Sequence, residues 1–276
     1  MLIAQITDLH VRPRGRPAYR VAETNMLVAR AVGALLALEP RPDAVLVSGD
    51  LTDCGLAEEY EELRALLARL PMPVYVVPGN HDRRETLRDV LPAAYRPGAR
   101  AGFVQYAVKD HPVRLIGLDT LVPGHGHGAL CGDRLAFLEE ALAAGDGRPT
   151  LVFLHHPPFV CGIAHMDAIR LIEGEARFRA LIAAHGDVER VLCGHHHRPI
   201  QARYAGTIAQ IAPSVAHQVA LDLTPEHAGA LVLEPPAYLL HRWEPGAGLV
   251  SHMAYVESFP GPYPFVLDAD YPGQGR

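Results

Sequence analysis

Five short apolar runs in this chain each end in a cluster of histidine, acid or asparagine side chains. The runs are Leu2 to Ile6, Ala44 to Val47, Val74 to Val77, Leu151 to Leu154 and Val188 to Leu192. Directly after them come Asp8-Leu9-His10, Gly49-Asp50, Gly79-Asn80-His81-Asp82, His155-His156-Pro157-Pro158 and Gly194-His195-His196-His197. Apolar runs of this length, bounded by turn residues, read as buried strands. Polar groups that emerge repeatedly at the carboxyl ends of such strands lie where open α/β sheets bind their ligands.

Between the strands the pattern changes to helical spacing. A helix is expected from about Ala22 to Leu38, with Leu27, Ala31, Leu35 and Leu38 on its apolar face and Pro40 stopping it. Tyr60, Leu63, Leu66, Leu67 and Leu70 mark a second helix over Glu58 to Leu70, with acids crowding its first turn. Asp133 reads as the N-cap of a helix through Ala144, and Glu173 to His185 as another. Strand and helix thus alternate through residue 193, the mark of a layered α/β fold.

Beyond residue 198 the elements shorten. Residues Ile208 to Ala212 and Leu231 to Leu233 suggest short strands, while Ala237 to Trp243 and Leu249 to Val256 flank a Pro-Gly turn as an antiparallel pair. The expected organisation is one catalytic domain over 1–260, with a cap-like segment at about 198–236 and a Pro/Gly-rich tail over 261–276.

Bulk properties narrow the function classes. The formal charge of −6 on 276 residues, with no basic run, disfavours a nucleic-acid polymer as partner. No apolar stretch approaches the roughly 20 residues that span a bilayer, and the first residues lack a basic leader, so a soluble cytoplasmic protein is expected. Cys54, Cys131, Cys161 and Cys193 are widely spaced and read as free thiols. Of the 16 histidines, His111, His185, His227, His241 and His252 are expected at the surface or in satisfied structural roles.

Carboxylate, imidazole and amide oxygen together suit first-row divalent ions. One bridging carboxylate can hold two such ions about 3.5–4 Å apart, the spacing that clamps attacking and leaving oxygens in a displacement at phosphorus. In that scheme Asp8, His10 and His197 bind one ion, Asn80, His155 and His195 bind the other, and Asp50 bridges. The centre would then supply hydroxide near neutral pH for in-line attack.

The ordered motifs D-x-H, G-D, G-N-H-D, H-H-P-P and G-H-x-H resemble those of the calcineurin-like metallophosphoesterase superfamily, and its class III cyclic nucleotide phosphodiesterase branch in particular. Within that branch the chain most resembles bacterial glycerophosphodiester phosphodiesterases, through Ser48-Gly-Asp, Cys54-Gly, His217-Gln-Val and Leu240-His-Arg. The likeness implies a four-layer αββα sandwich, a cap that takes part in homodimer or larger contacts, and two divalent ions (Mn, Fe, Zn or Co). It implies hydrolysis of small phosphodiesters, glycerophosphodiesters first, with 3′,5′-cyclic nucleotides as the alternative. Carried onto this chain, it makes His81 and Asp82 catalytic, with His81 contacting a phosphoryl oxygen or protonating the leaving alkoxide and Asp82 orienting that region. Asn80, His81 and His217 would contact substrate.

Several positions keep a second reading. His155 matches the family ligand, which leaves His156 to hydrogen-bond beside it; His196 should point away from the ions. Arg83, Arg84 and Arg88 read as a solvated helix face. Asp53 stands three residues after Asp50, where purple acid phosphatases carry a tyrosine, which argues against a tyrosinate-bound ferric centre. The loop Gly124-His125-Gly126-His127 is expected to shape the substrate pocket. A non-enzymatic scaffold on the same fold is disfavoured because all seven ligands are present.

Overall fold

The computed structural model describes residues 1–99, 102–225 and 228–265. The chain begins β1 (Leu2–Ile6), α1 (Thr24–Leu36), β2 (Ala44–Ser48), α2 (Ala57–Leu67), β3 (Val74–Val77) and α3 (Arg84–Val90). A 3-10 turn at Ala93–Tyr95 leads to β4 (Tyr106–Val108), β5 (Arg114–Gly117), β6 (Gly128–Ala129), α4 (Gly132–Ala143) and β7 (Thr150–Phe153). Next come α5 (Ala164–Asp167), β8 (Leu171–Glu173), α6 (Glu175–Ala183) and β9 (Val188–Cys193). The remainder is strand: β10 (Ile200–Tyr204), β11 (Thr207–Ile211), β12 (Gln218–Val219), β13 (Leu231–Val232), β14 (Ala237–Glu244) and β15 (Gly248–Tyr255).

Two sheets carry the fold, in the orders β15-β14-β1-β2-β3 and β10-β11-β9-β7-β5-β4. Strands β1, β2 and β3 are parallel, as are β11, β9, β7 and β5. Antiparallel strands form three of the four edges, β15, β10 and β4, and the parallel β3 forms the fourth. Parallel strands need both faces covered, which is why β2 and β7 are buried along their whole length.

The period of two sorts side chains between two cores. Leu115, Leu151, Phe153 and Leu192 face the other sheet and join Ile3, Leu46 and Val77 between the sheets. Their neighbours Ile116, Val152, Leu154 and Val191 face outward onto Leu138 and Leu142 of α4 and Phe178 and Ile182 of α6. Val28, Val32 and Leu35 of α1 and Tyr60 and Leu63 of α2 cover the first sheet. The result is the four-layer αββα sandwich, with the carboxyl ends of both parallel sets opening on one rim.

Several boundaries differ from the sequence reading. α1 starts at Thr24, because an Ala18–Ala22 bridge and left-handed backbone at Tyr19 and Arg20 occupy the residues before it. Cys131 is the N-cap of α4, and Asp133 lies inside its first turn. The helix expected from Glu173 begins at Glu175, since Glu173 ends β8 and Gly174 is left-handed at φ 80°. The expected cap is partly sheet: β11 pairs parallel with β9, and β10 pairs with β11. A strand that continues the main sheet buries its backbone polar groups more completely than a free cap would.

Residues 266–276 of the tail, and His227, lie outside the described residues. Among the described residues, no helix is long and apolar enough to cross a membrane.

Candidate metal centre

The polar clusters at the strand ends meet in one buried place, and the backbone is bent to deliver them. Eight described non-glycine residues have positive φ, and five of these are Asp8, His10, Asp50, His195 and His197, at 45° to 71°. Left-handed backbone costs a non-glycine residue of order 1–3 kcal/mol and collects at functional sites. Asp8 and His10 therefore converge through tight turns, not through the strand alternation that their spacing suggests, while Leu9 between them is buried in the core. Backbone hydrogen bonds hold the turn: Asp8 N–H donates to the Gly49 carbonyl at 3.1 Å, and Leu9 and His10 N–H donate to the Asp50 carbonyl at 2.8 and 3.0 Å. The glycines leave no alternative. A Cβ on Gly79 would sit 2.1 Å from Asp50 Oδ1, and one on Gly49 would sit 2.3 Å from His155 Nδ1.

The donor atoms gather on either side of Asp50. On one side His10 Nε2 lies 3.3 Å from His197 Nε2, which is 3.4 Å from Asp8 Oδ1. On the other, His155 Nε2 lies 3.1 Å from Asn80 Oδ1 and 3.2 Å from His195 Nδ1. Asp50 Oδ2 stands between them, 3.6 Å from His10 Nε2 and 3.3 Å from His155 Nε2.

The outward face of each imidazole fixes what the inward face can do. His197 Nδ1 donates to the His217 carbonyl at 2.7 Å, His155 Nδ1 to the Ser48 carbonyl at 2.9 Å, and His195 Nε2 to the Ile169 carbonyl at 3.0 Å. His10 Nδ1 faces Asp53 Oδ1 at 3.1 Å. A neutral imidazole has one proton, so each inward nitrogen presents a lone pair. With the imidazoles neutral, seven acceptors face one another, an arrangement that suits divalent cations. The carboxylates carry the same signature. Burial pushes Asp8 up, with the neighbouring Asp50 charge adding to it. Burial acts on Asp50 too, but the charges of His155 and His81 outweigh it and hold Asp50 well below the usual range. His155 in turn is raised despite burial, chiefly by Asp50.

Neighbouring candidates separate by orientation. His156 is turned away, its Nδ1 2.7 Å from Thr120 Oγ1 and its Nε2 3.1 Å from the Gly126 carbonyl. His196 is buried with Nδ1 3.4 Å from Cys161 Sγ, and so is a core histidine. His81 is partly exposed; its N–H donates to Asp50 Oδ1 at 2.9 Å and its Nδ1 to the Asp53 carbonyl at 2.7 Å, which leaves Nε2 for the cleft. The His217 ring packs 4.7 Å from His197 and 5.0 Å from His10. Burial, with the charges of those two rings, pushes it down to about 2.

Asp82, expected to act by orienting this region, is buried among hydrogen-bond donors. Its carboxylate accepts from the N–H groups of Leu51, Thr52 and Gly79, from Thr52 Oγ1 and from Tyr60 OH, all at 2.8 to 3.2 Å. Those bonds lock the loop after β2 to the loop after β3. Burial pushes the Asp82 carboxyl up to about 6, with Asp50 adding to it. Arg84 also departs from the sequence reading: it is buried and grips Asp119 with Nε at 2.6 Å and Nη2 at 2.8 Å. An arginine with a buried carboxylate within reach gains more from that pairing than from solvent.

Two cavities adjoin at Asn80 and His81. One of about 430 Å³ is lined by His10, His195 and His197 together with Tyr19, Met166, Ile169 and His217. The other, about 550 Å³, is lined by Asp53, Arg83, Glu85 and the loop Gly124 to Gly126. That loop walls the second cavity and is absent from the lining of the first. Sequence reasoning missed Tyr19 and the role of Asp53. Spacing from Asp50 could have flagged Asp53; nothing local flags Tyr19.

Facing sheets whose loop ends deliver a buried acceptor-only cluster define a metal-dependent hydrolase. A family model for calcineurin-like phosphoesterases matches residues 1–199. A probable glycerophosphodiester phosphodiesterase of Arcobacter nitrofigilis is 36% identical, over 96% of this chain and 97% of its own length. A probable cyclic nucleotide phosphodiesterase of Rhodopseudomonas palustris is 39% identical over 86% of both chains. Among solved structures, a dimetal phosphatase of Danio rerio shares the fold, with a TM-score of 0.65 at 17% identity over 93% of this chain and 99% of that one. The chain belongs to the calcineurin-like phosphoesterase family, as its motifs led us to expect, and its buried His/Asp cluster suits divalent metal ions.

Proposed function

We propose that this protein hydrolyses small phosphodiesters, glycerophosphodiesters foremost, with two divalent cations at the Asp50 cluster. Asp8, His10 and His197 would hold one, Asn80, His155 and His195 the other, and Asp50 both; Mn, Fe, Zn and Co all suit this mixed donor set. The observation that carries the reading is the sharing of Asp50 Oδ2 between His10 Nε2 at 3.6 Å and His155 Nε2 at 3.3 Å. When bound, the cations supply positive charge for the phosphoryl oxygens and lower the pKa of water toward neutrality.

The chain's own groups do the rest. Asn80 turns Oδ1 toward His155 and keeps its amide N–H groups for a phosphoryl oxygen. With Nδ1 committed to the Asp53 carbonyl, protonated His81 carries its transferable proton on Nε2. Burial opposes that charge, but Asp50 and Asp53 raise the His81 pKa, so the proton is at hand for a leaving alkoxide. His217, pushed down to about 2, stays neutral and can contact substrate without repelling the cations. The two cavities meeting at Asn80 and His81 give room for both ester arms of a diester.

Glycerophosphodiesters come first because the likeness to the Arcobacter relative includes the C-terminal strands, at 96% of this chain. The cyclic nucleotide alternative draws on the 39% identity to the Rhodopseudomonas relative. Exposed Val250, Met253, Tyr255 and Phe259, on and beside the edge strand β15, support a homodimer or larger assembly, which sedimentation would measure. The first test is hydrolysis of bis(p-nitrophenyl) phosphate by Mn-loaded protein, expected to exceed an Asn80→Ala control by at least roughly tenfold. Comparing kcat/KM for glycerophosphoethanolamine and cyclic AMP then separates the substrates; a higher value for cyclic AMP would reverse the preference.

A further inference from the structure

Gln5 lies fully buried in β1, between the two sheets. Its side-chain amide nitrogen donates to Ser48 Oγ and to the Cys193 carbonyl, both at 2.9 Å. Ser48 ends β2 in one sheet and Cys193 ends β9 in the other. The residues that follow are Gly49-Asp50 and Gly194-His195. A single amide group therefore ties together the two strand ends that launch Asp50 and His195. The Ser48 carbonyl, on the same residue, also receives His155 Nδ1 at 2.9 Å.

The orientation of that amide is set from behind. Gln5 Oε1 accepts from His241 Nε2 at 3.1 Å, His241 Nδ1 accepts from Ser251 Oγ at 2.8 Å, and Ser251 Oγ accepts from Arg190 Nη1 at 3.0 Å. A guanidinium has only donors and the Cys193 carbonyl only accepts, so both ends of the chain agree on its direction. It runs from Arg190 through Ser251, His241 and Gln5 to Cys193. A flipped Gln5 amide would set its oxygen against that carbonyl and its N–H groups against the His241 N–H. His241 and Ser251 belong to β14 and β15, beyond the residues 1–199 that the family model matches.

We propose that Gln5 and His241 are positioning residues for the metal centre: they set the separation of the β2 and β9 ends, and with it the spacing of the donor clusters around Asp50. This rests on the metal-site reading given above. Gln5→Glu keeps the side chain's size and replaces the donating amide with a carboxylate. His241→Leu removes the bond to Gln5 Oε1, and His241→Gln restores a donor there.

Titration calorimetry with Mn(II) on the full chain is the test, alongside the melting temperature of each metal-free variant. Gln5→Glu and His241→Leu should weaken the more loosely held ion by roughly tenfold or more, the scale seen for residues that orient metal ligands, and His241→Gln should recover most of that loss. If the first two variants melt earlier but bind Mn(II) as the wild type does, they serve packing alone and the inference fails. Should Gln5→Glu not fold, the contrast between the two His241 variants decides. A wild-type chain that takes up no Mn(II) would overturn the metal-site reading itself.

Discussion

Asp53 Oδ1 lies 3.1 Å from His10 Nδ1, on the side of the imidazole opposite His197. The carboxylate is itself held by Arg12 Nη1 at 3.4 Å. Burial would raise the Asp53 carboxyl, but its hydrogen bond and charge interaction with His10 hold it below the usual range. Asp53 therefore fixes both the ring angle and the tautomer that leaves His10 Nε2 free for a cation. Asp53→Ala should lower metal affinity about 10–100-fold, and Asp53→Asn less. Calorimetric titration with Mn(II) reads this directly; unchanged affinity would leave Asp53 no part in orienting His10.

Removing metal should destabilise the fold. Asp8 and Asp50 are buried side by side, and stripping their cations leaves two carboxylates whose N–H donors, His195 and His81, do not replace the lost positive charge. Wild-type protein should melt several degrees lower in a chelator, with a midpoint that climbs as Mn(II) is returned. A melting temperature indifferent to both additions would contradict a site built for cations.

The buried Arg84–Asp119 pair should matter to stability. Asp119 also accepts from the N–H groups of Val104 at 2.8 Å and Leu121 at 3.0 Å, while Arg84 reaches the Leu121 carbonyl. Asp119→Ala leaves a buried guanidinium unpaired and should cost about 3–5 kcal/mol in urea unfolding. A loss under about 1 kcal/mol would mean that solvent reaches Arg84 in the variant.

His241 gives stability a pH dependence with a definite sign. Burial, with the Arg190 charge adding to it, pushes this histidine from 6.5 down to about 3. Between those values the unfolded chain binds a proton that the folded chain refuses, so stability falls on acidification through that window and is unaffected above it. Metal-free wild type should lose stability more steeply than metal-free His241→Gln below pH 6.5, by at most about 1.4 kcal/mol per pH unit. Parallel curves for the two proteins would show that His241 takes up its proton in the folded state as well.

Much of this was legible without coordinates, and several of the exceptions share a cause. β1 and β3 match their expected limits because continuous apolar runs buried on both faces carry a strong local signal. The antiparallel β14–β15 pair was equally visible, flanking its turn. Two misplaced boundaries fell where a distant partner intervened: β8 took Glu173 from α6, and β9 drew β11 out of the expected cap. Arg84 was misread for the same reason, since Asp119 lies 35 residues away.

Residue types and their order along the chain were enough to identify the family and nominate the cluster, because strand-end motifs are local and each places its polar group beside the loop rim. Only the tertiary structure decided which nitrogen of each histidine turns inward, why His155 and not His156 faces Asp50, and which donors and acceptors Asp82, Gln5 and His241 meet. Those choices depend on carbonyls and carboxylates brought from the other sheet, and no residue's own neighbours in sequence encode where such partners will lie.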